Sequence, residues 1–136
     1  MDRPGLILVD TSAWVEMLRA TESPVDRRLT RLVEEEAELA TTEPVELELL
    51  AGVRGPNDEL RIETVLAACE LIPISSIEDW RHAAAVYRTC RRSGATPRRL
   101  LDCLIAATAI RAEVPVLAFD RDFERIAEHT PLKLAT

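Results

Sequence analysis

Lysine is nearly missing from this sequence. Lys133 stands alone, and arginine supplies the other 16 of the 17 basic side chains. With no G-x-x-x-x-G-K segment and no lysine on a Gly-rich loop, Walker-type nucleotide binding loses most of its support. A receiver-like phosphorylation switch, which needs a lysine near its phosphate, becomes remote for the same reason. Histidine is scarce too, with only His82 and His129. The cysteines Cys69, Cys90 and Cys103 are odd in number, widely spaced and without a C-x-x-C pair. That pattern disfavours a zinc site and a disulfide framework, and it suits reduced thiols in a cytoplasmic protein. Aromatic residues make up 4% of the chain, with Trp14, Trp80 and Tyr87 scattered, so base stacking is not expected as a main grip on nucleic acid. No apolar run is long enough to cross a bilayer, and "MDRPG" does not lead into a signal-peptide h-region.

What is present points to one folded domain over residues 1–136. Hydrophobic residues are 47% of the chain, enough for a core without staples. The net charge of −7 is unevenly placed. Residues 1–79 carry 18 acids and 7 arginines, whereas residues 80–136 carry 6 acids against 9 arginines and 1 lysine. No acid lies between Trp80 and Leu101, where Arg81, Arg88, Arg91, Arg92, Arg98 and Arg99 all fall. Such a segment is either a phosphate-binding face or a solvated helix face paired with acids elsewhere.

Hydrophobic periodicity gives alternating strands and helices, hence an α/β fold with a mostly parallel central sheet of about four to five strands. Leu6–Val9 reads as a first strand buried on both faces, followed by a short helix from about Ser12 to Leu18. Ser23 and Pro24 read as N-cap and first position of a helix whose face holds Val25, Leu29, Leu32 and Val33. Residues near Leu39 could form an edge strand, and "TEPVELELLAGV" a helix. A helix over about Asn57–Ala67 then leads to a strand at "LIPIS". A long helix is expected from Ile77 to Arg92, stopping at Gly94. The next, over "TPRRLLDCLIAATAIRAE", is apolar on almost every side and so central. Val116–Phe119 repeats the opening strand, "RDFERIAEH" is helical, and "LKLAT" offers a last edge strand.

Acids sit where this architecture concentrates chemistry. Asp10 ends the first strand and Asp120 ends the Val116–Phe119 strand, so in a parallel sheet both reach the same edge. Each could equally be a helix N-cap. Asp122 fits a first-turn helix acid. Asp102 is harder to place, because an ionised carboxylate in "LLDCLIAATAI" is costly unless paired or bound to a cation. With Thr96 as N-cap it would lie past the first turn, and Arg98 offers a structural partner. Glu46 and Glu48 stand about 200° apart on a helix. Glu48, with Ala51 and Gly52 above it, is the choice for the site, and Glu46 is expected to be mostly solvated. Three or four converging carboxylates need a hard cation, and oxygen-only ligands select Mg²⁺ or Mn²⁺. The metal would neutralise the cleft while the arginine segment holds a polynucleotide backbone.

"LILVDTSAWVE", "ELLAG", "RRLLDCLIAATAI" and "LAFDRDFERI" stand in the order typical of PIN-domain ribonucleases. The chain resembles most the toxin subunits of VapBC toxin–antitoxin pairs, over essentially its whole length. That resemblance implies a PIN-like three-layer α/β/α domain and a Mg²⁺- or Mn²⁺-dependent endoribonuclease. It also implies a homodimer silenced by a cognate antitoxin, with RNA as the substrate. Asp10, Glu48, Asp102 and Asp120 match the family's acids, and Asp122 a more variable fifth. Ser12 matches a supporting hydroxyl, and Arg98 a basic residue near substrate. Arg99 and Arg92 are the further RNA-binding candidates. Leu101 departs from the polar residue that relatives often carry before the third acid. Trp14, Met17 and Leu18 fall on a helix that in relatives helps to form the antitoxin groove, and ordinary core packing explains them as well. The alternative to an enzyme is a PIN-like RNA- or protein-binding module without turnover.

Overall fold

A computed structural model describes residues 5–135. Four parallel strands form the sheet in the order β3-β2-β1-β4: β1 (Ile7–Val9), β2 (Leu39–Thr41), β3 (Glu70–Leu71) and β4 (Val116–Leu117). Ile7 pairs with Leu39, and Leu8 lies between Ala40 and Val116. Every residue of β1 and β2 is buried, as parallel strands covered by helices on both faces require. The helices among the described residues are α1 (Thr11–Leu18), α2 (Pro24–Glu34), α3 (Glu43–Ala51), α4 (Pro56–Ala67), α5 (Ile77–Arg92), α6 (Leu100–Ala112) and α7 (Arg121–His129).

Local chemistry accounts for most of the boundaries. Ser23 Oγ accepts from the Asp26 amide at 3.1 Å, with Pro24 opening α2 as expected. Ser76 caps α5 in the same way, and Gly94, at φ +79°, lets the chain turn away after its last turn. In α6 all residues from Asp102 to Ala109 are buried, and the helix packs along α5. The uniform apolarity of this stretch thus reflects a central helix.

Five expectations shift. The strand near Leu39 is no edge strand, because β2 pairs with β1 on one side and β3 on the other. Val33 is 43% exposed, so the buried face of α2 rests on Leu29 with Val25 and Leu32 partly covered. The third strand lies earlier than "LIPIS". The Ile72 amide still reaches Thr41 O at 2.8 Å, but Pro73 has no amide to give and the Ile74 amide bonds Glu43 Oε1. The C-terminal segment joins the sheet through a single parallel bridge between Val116 and Leu134 rather than as a strand. Finally, α6 begins at Leu100 with Arg99 as its N-cap residue, so Thr96 and Pro97 belong to the preceding loop. Asp122 Oδ2 accepts from both the backbone amide and Nε of Arg98, at 3.0 and 3.1 Å, and so holds that segment out of the helix.

Candidate active site

The C-terminal ends of β1 and β4 place Asp10 and Asp120 on one edge of the sheet. The Asp10 amide donates to Leu117 O at 2.9 Å, joining the two strand ends directly. Asp10 is also the N-cap of α1: its Oδ2 accepts from the Ser12 amide at 3.0 Å and from Ser12 Oγ at 2.6 Å. Ser12 Oγ in turn accepts from the Phe119 amide at 2.8 Å. One hydroxyl thus fixes the first acid against the segment that carries the fourth. Asp10 therefore caps α1, one of the two roles the sequence allowed it, and does so at the same sheet edge as Asp120.

Asp102 occupies the first turn of α6, not a later one, yet it makes no cap bond there. It is 2% exposed, and its Oδ2 has no hydrogen-bond partner among the described residues. The same holds for Oδ1 of Asp10, itself 4% exposed. Two buried carboxylate oxygens without partners are costly in a protein interior. Burial pushes the Asp102 carboxyl up to about 7, with repulsion from Asp10, Asp120 and Glu48 adding to it and the nearby Arg99 opposing it. Asp10 is raised as well, by burial first and by Glu48 further, against the bonds from Ser12.

Glu48 reaches the cluster from α3. Its Oε1 accepts from Thr11 Oγ1 at 3.0 Å, and its Oε2 pairs with Arg99. Beside it, Gly52 leaves room, and both residues line an open recess of about 460 Å³. Glu46 lies on the other face and is half-buried rather than solvated, close enough to Cys69 to join burial in raising that thiol to about 11.

Asp120 caps α7 through Oδ1, which accepts from the Asp122 amide at 2.9 Å and from Arg98 Nη2 at 2.8 Å. Asp122 is fully buried and braced on both sides by Arg98 and by Arg125 Nη1 at 3.0 Å. Burial acts to raise it, but the bonds from Arg98 outweigh that and hold it below the ordinary carboxylate range. The Arg98–Asp102 pair that the sequence offered does not form. Arg98 serves Asp120 and Asp122 instead, and Arg99 serves Glu48. Arg92 stands exposed in the last turn of α5.

Carboxylate oxygens of Asp102, Asp120 and Asp122 lie within 4.8 Å of one another. This all-oxygen set, in which Asp102 Oδ2 lacks a partner, fits a hard divalent cation, while Asp10 and Glu48 stand outside that close group. Thr11 and Arg125 were not singled out from the sequence. Thr11 lies inside the first helix with no pattern that marks it, and Arg125 is legible only as an i,i+3 partner once Asp122 is known to be buried.

Among the residues considered for a protein partner, Trp14 is 1% exposed and belongs to the core, as does its neighbour Ala13. It is not available to a docking peptide. Met17 and Leu18 are partly buried, and Leu18 lines the 460 Å³ recess with Val15, Leu49 and Ile62.

Comparison with known proteins agrees with this geometry. The PIN domain family model matches residues 7–129. The chain is 41% identical over 132 residues to VapC ribonuclease Mb1587 of Mycobacterium bovis, covering 96% of this chain and 98% of the relative. It is equally similar to ribonuclease VapC11 of Mycobacterium tuberculosis. In fold, it superposes on a chain of the Rickettsia felis VapBC2 structure with a TM-score of 0.72 at 14% identity, over 96% of this chain and 97% of that one. For VapBC-5 of M. tuberculosis the TM-score is 0.65 at 21% identity, over 96% and 98%. The strand-end acids, their order along the chain and these similarities converge: the chain belongs to the PIN-domain family, among the VapC ribonucleases.

Proposed function

We propose that this ribonuclease toxin hydrolyses RNA phosphodiester bonds with a Mg²⁺ or Mn²⁺ ion held by Asp10, Glu48, Asp102 and Asp120, with Asp122 bracing the site. The observation that carries it is the buried, partnerless Oδ2 of Asp102 in a close group with Asp120 and Asp122, with a second partnerless oxygen on Asp10, whose charge acts on Asp102. When bound, the ion supplies a Lewis acid and a lowered pKa for water in the cleft. The chain's own residues do the rest. Ser12 and Thr11 orient the Asp10 and Glu48 carboxylates. Arg98 holds Oδ1 of Asp120, leaving Oδ2 to align the attacking water. Attack in line at phosphorus breaks the bond to the 3′-oxygen, which takes a proton, and yields a 3′-hydroxyl and a 5′-phosphate. Arg98 and Arg99, at the rim with 69% and 48% of their side-chain surface open, face the substrate phosphates, with Arg92 as an outlying contact.

Purified protein incubated with total bacterial RNA and Mn²⁺ is expected to give discrete products that EDTA abolishes. Asp10→Asn is expected to lose cleavage by at least about 100-fold, the scale set by losing one preorganised electrostatic contact to the reacting centre. An unimpaired Asp10→Asn protein refutes the assignment.

The recess between α1, α3 and α4 is the seat we assign to the cognate antitoxin. Its apolar floor of Val15, Leu18, Leu49 and Ile62 sits between Arg19, Arg54 and Asp58, and it opens beside Glu48. Slowed amide exchange at residues 15–18 and 48–52 on adding antitoxin checks this. The homodimer rests on the family resemblance and on Leu47 and Leu50, large apolar residues exposed on α3, and light scattering in solution tests it. A cytoplasmic site of action fits the three free cysteines, of which Cys90 and Cys103 are buried. No described helix is long and apolar enough to cross a membrane.

A further inference from the structure

Five aromatic residues occur in this chain, and their placement is unequal. Trp14 and Phe123 are each 1% exposed and fill the core. Tyr87 has the Arg91 guanidinium over its ring, 5.7 Å from the centroid. Trp80 is exposed, but it follows Asp79, which pairs with Arg111 in the last turn of α6, whereas Asp102 lies in the first turn. Nine residues of helix separate those two positions, about 14 Å, so Trp80 lies toward the far end of the molecule from the acids. Phe119 alone combines exposure, at 52%, with adjacency to the carboxylate cluster.

Nothing in the fold requires a large apolar ring there. β4 ends at Leu117, and the two residues after it climb out of the sheet toward Asp120. The backbone of Phe119 is held from below, its amide bonded to Ser12 Oγ at 2.8 Å, the same hydroxyl that positions Asp10. The ring is therefore presented from a fixed backbone. Around it Phe119, Asp120, Arg98, Arg121 and Arg125 line an open recess of about 420 Å³. Arg98 and Arg125 are anchored on Asp120 and Asp122, while Arg121 makes no ion pair among the described residues.

We propose that Phe119 is a stacking platform for one unpaired nucleobase next to the scissile phosphate, with the flanking phosphate in the arginine-lined recess. The inference rests on the ribonuclease reading. An exposed ring one residue from a reacting-centre acid, ringed by guanidinium groups, matches the two faces of a single-stranded nucleotide: an apolar base plane and an anionic backbone. Within an A-form duplex both faces of a base are already stacked, so such a platform selects substrates whose cut site lies in a loop or single strand. It needs no base identity, because every base offers a π-face. The general grip stays electrostatic, as the scarcity of aromatics requires, and the single ring sets where along the strand the phosphate comes to rest.

The test compares the wild-type protein with Phe119→Leu and Phe119→Trp. Binding of a labelled oligoadenylate decamer is followed by anisotropy with Ca²⁺ present, beside a decamer of the same length made of abasic sugar-phosphate units. Loss of one base–aromatic stack corresponds to about a 5- to 150-fold weaker Kd. That loss is expected for Phe119→Leu on oligoadenylate, with no change on the abasic chain and near wild-type binding for Phe119→Trp. Cleavage of total RNA by Phe119→Leu should show a raised KM with kcat little changed. Equal binding of oligoadenylate by wild type and Phe119→Leu overturns the proposal, as does an equal loss on the abasic chain. A Phe119→Leu protein that binds RNA normally but no longer binds antitoxin also overturns it, making the ring a protein contact. Metal-dependent cleavage by the wild type in the same series keeps these failures distinct from failure of the ribonuclease reading.

Discussion

Asp102 is the residue whose chemistry departs furthest from solution behaviour. Burial pushes its carboxyl up to about 7, against 3.8 for an ordinary aspartate. Between these values the folded state binds a proton that the unfolded chain has released. Stability therefore falls as pH rises through that window, and the loss is complete above about 7. Removing the charge should reverse this. Asp102→Asn is expected to raise the melting temperature of the metal-free protein by several degrees at pH 8 and to leave it nearly unchanged at pH 4. Thermal unfolding in EDTA at the two values measures this, and equal shifts at both would rule out a titrating Asp102 as the cause. The same proton competes with a cation, so Mn²⁺ should bind more tightly above pH 7 than at pH 5.5. Asp102 was legible as an anomaly because a lone acid among apolar residues is conspicuous. Its partners were not legible, since the sequence spacing suggested Arg98 whereas the tertiary structure gives Arg98 to Asp120 and Asp122.

At the scale of elements, α5 and α6 meet through a pair that sequence periodicity does not announce. Asp79, 3% exposed, receives Arg111 Nε at 2.9 Å and the Ser75 amide at 2.7 Å, while Arg111 Nη2 donates to Pro73 O at 2.6 Å. This cluster ties the loop after β3 to the end of α6 opposite the acids. Burial acts to raise Asp79, yet the bonds from Ser75 and Arg111 hold it below the usual carboxylate range. Asp79→Ala leaves an arginine and an amide without their acceptor and should cost about 2–4 kcal/mol in urea unfolding at pH 7. A cost below about 0.5 kcal/mol would mean that the pair is incidental. Helix and strand identities were readable where local signals agree, as in α5, with Ser76 before it and Gly94 beyond. They failed where a distant group decides. Thr96-Pro97 has the look of a helix start, but Asp122 takes the Arg98 amide and the helix begins only at Leu100. "LIPIS" has the composition of a strand, but Glu43 takes the Ile74 amide. Glu46 was placed on the correct face and still misjudged in exposure, because the approach of Cys69, in the turn between α4 and β3, is tertiary information.

Across the whole molecule, the charge asymmetry resolves into two populations of arginine. Arg98, Arg99, Arg111 and Arg125 are paired with Asp120, Asp122, Glu48 and Asp79, so part of the basic segment does balance acids elsewhere in the chain. Arg88, Arg92 and Arg121 remain exposed on a protein of net charge −7. A long polyanion gains little from such a surface as a whole and must be held by a few local contacts. The expected signature is a shallow salt dependence. Neutralising about three phosphates of a single strand gives a slope of about −2 in log Kd⁻¹ against log salt. Arg121→Gln, which removes an unpaired guanidinium beside Phe119, should flatten that slope by about 0.7. Titrating the oligoadenylate decamer between about 50 and 200 mM NaCl measures both slopes. A wild-type slope near −6 would require a broad basic track that this fold does not present. An unchanged slope in Arg121→Gln would place the phosphate path on the other side of the acids, along Arg99 and the mouth of the α1–α3 recess.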